Sequence, residues 1–362
     1  MSFEPLVVHS RLNDYTVHFH TDLEFLREVA SLPHLVLVVD GQVADLYSGH
    51  FKAIFGDIPF YRLESKEENK NLREVENVYT WIVTHFSAKK NLNFVSIGGG
   101  ITQDITGFVA STLFRGVKWL FVPTTLLAQV DSCIGGKSSL NFQKSKNLLG
   151  TFYPPREVHI STAFLPTLSA LDLASGHGEI IKFLLMRKFE ERNTEDIGLR
   201  MDSIRKGQCS MLELIRECLL IKCSFMENDE FDQGRRNLLN YGHCFGHSLE
   251  STSEYYVPHG IAVNIGIIFA NIVAEMRQTI SMETLTHITN QINLPALTQP
   301  QRPSDYESGK LLGHLKNDKK RTGSALPLVI PVPGGLTRLD DLSEEEFLTA
   351  LSRLVKLLFT KG

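Results

Sequence analysis

The sequence predicts an α/β N-terminal domain built on a parallel sheet, followed by a mainly α-helical C-terminal domain. The chain has 362 residues, and a single hydrophobic core stops growing at about 250–300 residues, so two domains are expected. In the N-terminal half, short apolar runs alternate with helical patterns, which is typical of βαβ units. Beyond Pro166, long helical patterns dominate. We therefore expect the domains to cover residues 1–165 and 166–362.

Three apolar runs in the N-terminal domain indicate buried parallel strands, at 35–39, 94–97 and 118–122. The first run ends at Asp40, the second continues into a triple glycine at 98–100, and Pro123 stops the third. Between the second and third strands we expect a helix with Thr102 as its N-cap and Gly116 just past its end. This order of elements predicts a Rossmann-like domain.

In the C-terminal domain, helical periodicity predicts helices at 211–226, 243–254 and 260–276, and a short extended segment at 326–332. The residues 343–346, Ser-Glu-Glu-Glu, form a capping box that opens a final helix reaching about Leu358. The apolar run 261–274 contains two asparagines and is too short to span a bilayer, so it is expected to be a buried helix.

Composition excludes several classes of function. With 43% hydrophobic residues, 22% charged residues and a net charge of −4, the chain resembles an ordinary globular protein and has no basic excess for nucleic acid. Its five cysteines form no CxxC pair, which favours reduced thiols. The N-terminal residues lack a basic region followed by an apolar core, so no signal peptide is expected. We expect a cytoplasmic protein with neither a membrane nor a nucleic acid as partner.

Histidines with a metal-binding pattern stand at the start of the second predicted C-terminal helix. His243 and His247 are four residues apart, which places both imidazoles on one helix face. His259 follows a short loop, and Glu179 offers a distant carboxylate. Histidines with one carboxylate and an open position are typical ligands of catalytic zinc. Taken alone, His247 would more often be a surface or satisfied core residue.

Two segments suit a phosphate-bearing ligand. The glycines at 98–100 lie between a strand and a helix, where a backbone without Cβ atoms can approach a pyrophosphate at the helix N-terminus. The strict GxGxxG pattern is not met because Gln103 occupies the third glycine position, so a tight turn without a ligand is equally compatible. The segment 123–137 is denser in suitable groups, with hydroxyls, an acid, two glycines and Lys137, and it is followed by Lys146-Asn147.

Taken together, these motifs resemble the 3-dehydroquinate synthase family, which belongs to the sugar phosphate cyclase group. Order and spacing both agree over most of the chain. The matching segments are GGGITQD at 98–104, RG at 115–116, PTTLLAQVDSCIGGK at 123–137, KN at 146–147, EIIK at 179–182, DE at 229–230, RNLLNYGHCFGH at 236–247, HG at 259–260 and DKK at 318–320.

The resemblance implies a dehydroquinate synthase-like fold and a lyase that closes a carbocycle. The implied reaction converts 3-deoxy-D-arabino-heptulosonate 7-phosphate to 3-dehydroquinate with release of phosphate, in the shikimate pathway of aromatic amino acid biosynthesis. It also implies recycled NAD, one zinc ion with cobalt as a substitute, a small-molecule sugar phosphate substrate and a homodimer. The metal ligands would be Glu179, His243 and His259, and His247 becomes a phosphate contact instead.

The resemblance further assigns roles to residues outside the metal set. The catalytic residues it implies are Asp131, Lys137, Lys182, Lys222, Arg236, Asn240 and His247. Among these, Lys222 and Arg236 would receive the substrate carboxylate. Further substrate contacts would be Arg115, reaching a neighbouring subunit, with Asn147 and one of Lys319 or Lys320 on the phosphate. The cofactor contacts would be Asp40, Glu67, Lys70, Gly99, Gly100, Asp104, Thr124, Thr125, Lys146 and Thr167.

Departures from the family pattern bear on the identity of the substrate, and two alternatives to the implied function remain open. Gln103, the pair His177-Gly178, Leu184 and Asp232 stand where the family usually has other residues. They cluster near the implied catalytic residues. One alternative is a sugar phosphate cyclase of secondary metabolism or surface-polysaccharide synthesis that acts on another sugar 7- or 6-phosphate. The other is a metal-dependent polyol dehydrogenase, which would lack the phosphate-binding lysines.

Overall fold

A computed structural model describes residues 3–86, 91–143, 145–191, 196–316 and 326–359 of the chain. These residues divide into two units, Met1–Leu168 and Ser169–Gly362. Lys319 and Lys320, predicted as phosphate contacts, lie outside the described residues.

The N-terminal unit contains an α/β arrangement. Its strands are β1 Leu6–Val8, β2 Tyr15–His20, β3 Leu35–Asp40, β4 Phe60–Leu63, β5 Asn93–Gly98, β6 Lys118–Pro123, β7 Lys137–Phe142, β8 Ser145–Phe152 and β9 Glu157–Ser161. Its helices are α1 Leu26–Ala30, α2 Gly41–Leu46, α3 Ser48–Phe55, α4 Leu72–His85 and α5 Gly100–Thr112. A π-helical turn, Ala128–Ser132, follows β6.

Seven of these strands form one sheet in the order β1-β2-β9-β6-β5-β3-β4. All neighbouring pairs are parallel except β1 with β2. From β3 the chain passes to β4 on one side and then returns to β5 on the other side. The carboxyl ends of β3 and β5 therefore flank a topological switch point, where open α/β sheets bind their ligands.

The three predicted strands are confirmed as β3, β5 and β6, whose central residues are almost completely buried. The predicted N-cap of the following helix is wrong. Helix α5 begins at Gly100 with Gly99 as its N-cap, and Thr102 lies inside the helix with its hydroxyl 2.8 Å from that of Ser65. The helix begins two residues before Thr102, directly after the glycine turn, and its N-cap has no side-chain hydrogen bond.

Helices dominate the C-terminal unit. They are α6 Ala170–Glu191, α7 Ile197–Arg205, α8 Met211–Met226, α9 His243–Thr252, α10 His259–Met276, α11 Met282–Ile288, α12 Ser308–Lys316 and α13 Glu344–Phe359. A two-stranded antiparallel sheet joins β10 Leu326–Val332 to β11 Gly335–Leu342. The predicted helices and the extended segment are confirmed, although α9 ends two residues before the predicted end.

Helix α10 is the centre of the C-terminal core. Its residues from Gly260 to Ala274 are all buried, as predicted from its apolar run. It packs against α6, α9, α13 and β10. Among the described residues it is the one helix that is long and apolar enough to cross a membrane, but most of it is already enclosed by the fold. That enclosure is typical of a core helix.

The predicted capping box is confirmed at the start of α13. The Ser343 hydroxyl accepts from the Glu346 amide at 3.2 Å, and the Glu346 carboxylate accepts from the Ser343 amide at 3.0 Å. Glu346 also pairs with Arg277 at the end of α10, at 3.0 Å. The box therefore ties the last helix to the core helix.

Replacing Ser343 with alanine should lower the free energy of unfolding by about 1 kcal/mol, because the Glu346 amide loses its acceptor. Thr349→Ala, an exposed position inside the same helix, is the matched control and should change stability by less than about 0.5 kcal/mol. Urea unfolding followed by far-UV circular dichroism measures both. Equal effects of the two substitutions would show that the cap contributes nothing.

Candidate metal and nucleotide sites

The proposed metal ligands converge in the C-terminal unit. Glu179 on α6 is completely buried. Its Oε1 atom lies 3.3 Å from Nε2 of His243 on α9 and 3.5 Å from Nε2 of His259 on α10. Ligands of a tetrahedral zinc ion are separated by about 3.3 Å, as follows from zinc–ligand distances of about 2.0–2.1 Å. Three helices thus deliver three ligand atoms at a spacing that fits one ion.

Glycines make this convergence sterically feasible. A Cβ on Gly178 would lie 1.9 Å from the carbonyl oxygen of Gly260, and a Cβ on Gly260 would lie 1.7 Å from that of Ser175. The Gly260 amide also donates to the Ser175 hydroxyl at 2.9 Å. Because Gly178 precedes Glu179 and Gly260 follows His259, the backbone contact between α6 and α10 sets the distance between carboxylate and imidazole. Gly178, a departure from the family pattern, is required by this contact.

Both proposed histidine ligands are held in the tautomer that a metal requires. Nδ1 of His243 lies 3.2 Å from the carbonyl oxygen of Tyr241, and Nδ1 of His259 lies 3.0 Å from a carboxylate oxygen of Glu250. Both partners are acceptors, so each Nδ1 carries the proton and donates. Nε2 of each ring is then directed at the Glu179 carboxylate, the position from which it can bind a metal once it carries no proton. Sequence reasoning missed Glu250, whose place three residues after His247 was the available signal.

The electrostatics of the site centre on the buried carboxylate. Burial opposes ionisation of Glu179, but Lys182 and the two imidazoles hold its pKa well below the usual range. The Lys182 ammonium lies 2.5 Å from the carboxylate, one helical turn away on α6. Burial, reinforced by Lys182, holds the pKa of His243 well below its usual value. Burial would also lower the pKa of His259, yet Glu250 and Glu179 raise it to about 10.

His247 offers a competing third ligand. The ligand nitrogens of His243, His247 and His259 lie within 4.8 Å of one another, and His247 is exposed on α9. Glu179, however, is completely buried, and its Oε1 atom faces the Nε2 atoms of His243 and His259 while Oε2 pairs with Lys182. A buried carboxylate oxygen that faces two imidazoles fits a cation site, whereas an exposed imidazole remains well solvated. We therefore favour Glu179 over His247 as the ligand.

The predicted carboxylate-binding residues are buried cations on neighbouring elements of the same unit. Lys222 on α8 is 6% exposed and Arg236 is 3% exposed. The Asp229 carboxylate accepts from the Arg236 amide at 2.8 Å, and the Arg236 guanidinium donates to the Glu230 carbonyl. Nearby, the Asn240 amide donates to the Asn237 carbonyl at 2.7 Å. Asp229 thus holds the backbone that carries Arg236.

In the N-terminal unit, the glycine turn lies at the switch point of the sheet. A Cβ on Gly98 would collide with Thr102 at 2.4 Å, whereas a Cβ on Gly100 would meet only the Ser132 hydroxyl at 3.8 Å. Gly98 is therefore needed for packing, and the space beside Gly100 is open at the N-terminus of α5. Asp40 ends the neighbouring strand and caps α2 through the Gln42 and Val43 amides. The turn, the helix end and the acid fit a dinucleotide.

Several predicted cofactor residues form one polar cluster against the β7–β8 hairpin. The Lys70 ammonium lies 2.5 Å from the Asp104 carboxylate and donates to Asn147 at 2.8 Å. The Ser139 amide and hydroxyl both donate to Asp104 at 2.9 Å. Burial raises the pKa of Asp104, although Lys70 acts in the opposite direction. Asn147, predicted as a phosphate contact, is thus in direct contact with residues predicted to bind the cofactor.

Most of the other predicted residues of this unit lie near the carboxyl ends of the strands or at the hairpin, whereas Arg115 lies between α5 and the amino end of β6. Glu67 lies 3.6 Å from Lys146, and the Thr167 hydroxyl contacts that of Tyr47 at 3.0 Å. Thr124 is buried just after β6, and the Thr125 hydroxyl accepts a hydrogen bond from the Ala128 amide. Asp131 lies in the π-helical turn, and Lys137 begins β7. Arg115 is exposed after α5 and has a positive φ.

Gln103 explains why the third glycine of the dinucleotide pattern is absent. Its amide donates to the Ser132 carbonyl at 2.7 Å, and its carbonyl accepts from the Ser132 hydroxyl at 2.6 Å. These bonds tie α5 to the π-helical turn that carries Asp131. Single π-turns are frequent at functional sites, and a motif search based on glycines alone does not find this brace.

Comparison with known proteins identifies the family. Residues 60–175 match the model described as 3-dehydroquinate synthase N-terminal, and residues 176–321 match the one described as 3-dehydroquinate synthase C-terminal. The chain belongs to the 3-dehydroquinate synthase family. A 3-dehydroquinate synthase of Pyrococcus abyssi is 36% identical over 83% of this chain and 86% of its own length. One from Streptococcus equi subsp. equi is 32% identical over 92% and 93%.

Solved structures with similar folds are more distant in sequence. A 2-deoxy-scyllo-inosose synthase complexed with carbaglucose-6-phosphate, NAD+ and Co2+ has a TM-score of 0.82 at 22% identity, covering 97% of this chain and 99% of its own. A 2-epi-5-epi-valiolone synthase from Streptomyces hygroscopicus subsp. jinggangensis, with NAD+ and Zn2+ bound, has a TM-score of 0.82 at 23% identity and the same coverage. These matches confirm the predicted fold class.

Metal content should distinguish the ligand set Glu179, His243 and His259 from the set His243, His247 and His259. We expect Glu179→Gln to lose the zinc ion of this site and His247→Ala to retain it, because the buried carboxylate supplies the third ligand. Atomic absorption after dialysis measures the zinc, and far-UV circular dichroism controls for folding. Retention of zinc by Glu179→Gln together with its loss in His247→Ala would assign the third position to His247.

Glu250 should tune the metal site without binding the ion. Glu250→Gln preserves the shape of the side chain but removes the charge that orients His259, so zinc affinity should fall about 10- to 100-fold. Competition with a chromophoric chelator measures that affinity. Glu254→Gln, an exposed neighbour in sequence, serves as the control and should bind zinc like the unmodified protein. Unchanged affinity in Glu250→Gln would contradict the role.

Proposed function

We propose that the protein is a 3-dehydroquinate synthase, an NAD- and zinc-dependent lyase. It converts 3-deoxy-D-arabino-heptulosonate 7-phosphate to 3-dehydroquinate and releases phosphate. The observation that carries the proposal is the combination, in one unit, of a Glu/His/His set with the tautomers a metal needs and the two buried cations Lys222 and Arg236. The relatives named 3-dehydroquinate synthase also share more identity with the chain than the inosose and valiolone synthases do.

Both cofactors fit the residues described. Glu179, His243 and His259 would hold zinc, and the glycine turn with Asp40, Asp104, Thr124 and Thr125 would hold NAD. When bound, zinc polarises a substrate hydroxyl and NAD accepts and returns a hydride. The other NAD contacts in the proposal are Glu67, Lys70, Lys146 and Thr167.

The chain's own residues mainly position the substrate. Lys222 and Arg236 bind its carboxylate, because a guanidinium fork matches a planar carboxylate. Asn240 and His247 bind its phosphate in the C-terminal unit, and Lys137 and Asn147 are the phosphate contacts of the N-terminal unit. Few protein acids and bases are required, since the substrate phosphate can accept the proton that is removed. Orientation and charge stabilisation then account for most of the catalysis.

Lys182 and Asp131 complete the proposed catalytic set. The Lys182 ammonium is 1% exposed beside Glu179, so it stabilises the buried carboxylate and offers donors to substrate oxygens. Asp131 lies in the π-helical turn that Gln103 braces. The proposal also includes a homodimer, in which the exposed Arg115 reaches the neighbouring subunit, and a cytoplasmic location.

NAD should be recycled in each turnover. Purified protein supplied with zinc, NAD and substrate should therefore release phosphate without net formation of NADH. The absorbance of NADH, recorded together with an assay of released phosphate, tests this. Accumulation of NADH in proportion to product would instead favour the metal-dependent dehydrogenase, whose fold the chain shares with a probable glycerol dehydrogenase at a TM-score of 0.63 and 15% identity.

The two buried cations should decide between substrates. We expect turnover of 3-deoxy-D-arabino-heptulosonate 7-phosphate and none of sedoheptulose 7-phosphate, which has no carboxylate to meet Lys222 and Arg236. Arg236→Lys should lose transition-state stabilisation on the order of 2–5 kcal/mol, because it loses the bidentate fork. Comparison of kcat/KM for both substrates measures this.

Arg235→Lys is the matched control, since Arg235 is exposed and pairs with Glu190 at 2.6 Å. Its kcat/KM should stay close to that of the unmodified protein. Turnover of sedoheptulose 7-phosphate with none of the carboxylate-bearing substrate would overturn the proposal and favour a cyclase of another pathway.

A further inference from the structure

A second group of ligand-type side chains lies in the N-terminal unit, on one face of two neighbouring parallel strands. His18 and His20 on β2 are two residues apart, so their side chains point to the same face of the sheet. Glu157 and His159 on β9 have the same spacing, and the register pairs His18 directly with His159. The sheet therefore brings together residues that are about 140 positions apart in the chain.

The distances within this group suit a metal ion. Nε2 of His159 lies 3.0 Å from Oε2 of Glu157, and Nε2 of His18 lies 3.8 Å from the same oxygen. The ligand atoms of His18, Glu157 and His159 all lie within 4.8 Å of one another. These separations bracket the spacing of about 3.3 Å in a tetrahedral zinc site, so small rotations of the side chains would complete the geometry.

His20 supplies the supporting contact that a histidine ligand needs. Its Nε2 lies 3.2 Å from Nδ1 of His159, so His159 can donate from Nδ1 while its Nε2 faces the ion. The ring of His20 stacks on Phe25 with centroids 4.2 Å apart, and Phe25 also stacks on His159 at 5.3 Å. The orientation of His159 is thus set by packing as well as by the hydrogen bond.

The group opens onto a cleft, which would leave coordination positions accessible to water. Glu157 and His159 line this cleft of about 390 Å³, together with the polar residues Glu28, Asn93, Lys118 and Arg156. Asn93, Lys118 and Glu157 begin their strands. The cleft therefore lies at the amino ends of the parallel strands, opposite the carboxyl ends that carry the glycine turn. It is separate from the nucleotide site.

We propose that His18, Glu157 and His159 bind a divalent transition-metal ion of the zinc or cobalt class. Two imidazoles and one carboxylate are a ligand set that such ions take, and the cleft leaves a fourth position for water. Burial lowers the pKa of His18, and burial with the neighbouring His159 lowers that of His20 to about 4. Neutral imidazoles are the form that binds metals.

Metal stoichiometry tests the proposal on the full chain. The protein is stripped with chelator, reloaded with Zn2+, dialysed and assayed by atomic absorption. About two ions per chain are expected, and His18→Ala and Glu157→Gln should each reduce this to about one while leaving turnover unchanged. Glu157→Gln is nearly isosteric, so it tests the site even if His18→Ala perturbs folding. His9→Ala, an exposed histidine of the same unit paired with Asp14, is the control and should keep both ions.

His243→Ala separates this site from the metal site of the C-terminal unit. That variant should retain about one ion per chain, and reloading with Co2+ should give visible absorption bands from this ion. The double variant with His18→Ala as well should lose the ion. One ion that is lost in His243→Ala and kept in His18→Ala would overturn the inference. One ion with the opposite pattern would support the inference and refute the proposed catalytic zinc site instead.

Discussion

A fully buried carboxylate is the constraint around which the C-terminal unit is arranged. An ionised side chain without water costs several kcal/mol unless opposite charge and hydrogen-bond donors surround it. Glu179 meets this requirement with Lys182 on its own helix and imidazoles from two other helices. The helices can approach closely enough only because Gly178 and Gly260 lack Cβ atoms. The close packing of the helices and the charge pairing of Glu179 therefore depend on each other, so a change in either would disturb the other.

The charges around Glu179 balance before any metal is bound. Glu179 and Glu250 are negative, Lys182 is positive, and His259 between the two carboxylates has its pKa raised to about 10, so it is protonated at neutral pH. An ion that binds Nε2 of His259 must displace that proton, so its affinity rises with pH up to the pKa of the ring. Glu250 keeps Nδ1–H in place throughout, which maintains the ring orientation.

How much could be predicted from the sequence depends on how far apart along the chain the interacting residues are. Periodicity predicted the strands 35–39 and 94–97 and the helices at 211–226 and 260–276, because local patterns determine them. The fold class followed from their order.

Contacts between distant elements were less accessible. The spacing of His243 and His247 indicated a metal site, and the family resemblance implied Glu179 instead of His247 as the third ligand, but the burial of Glu179 and its distances to the two imidazoles are apparent only from the structure. In the sequence, Gln103 only interrupted the glycine pattern, whereas in the structure its side chain forms two hydrogen bonds with Ser132. The pair His18 and His20 has strand spacing, yet its partners Glu157 and His159 become apparent only from the register of β2 with β9.

Preorganisation of Arg236 connects the fold to substrate choice. Asp229 accepts from the amides of Gln233, Gly234 and Arg236, all at 2.8 Å, and this loop carries the guanidinium to the Glu230 carbonyl. A side chain held in this way loses little conformational entropy when it binds an anion, so more of the interaction energy appears as affinity. A sugar phosphate without a carboxylate would forgo that energy and still have to accommodate buried cations at Lys222 and Arg236. On the role proposed for Arg236, the hydrogen bonds of the loop at 229–236 would favour a carboxylate-bearing substrate by holding the guanidinium in place.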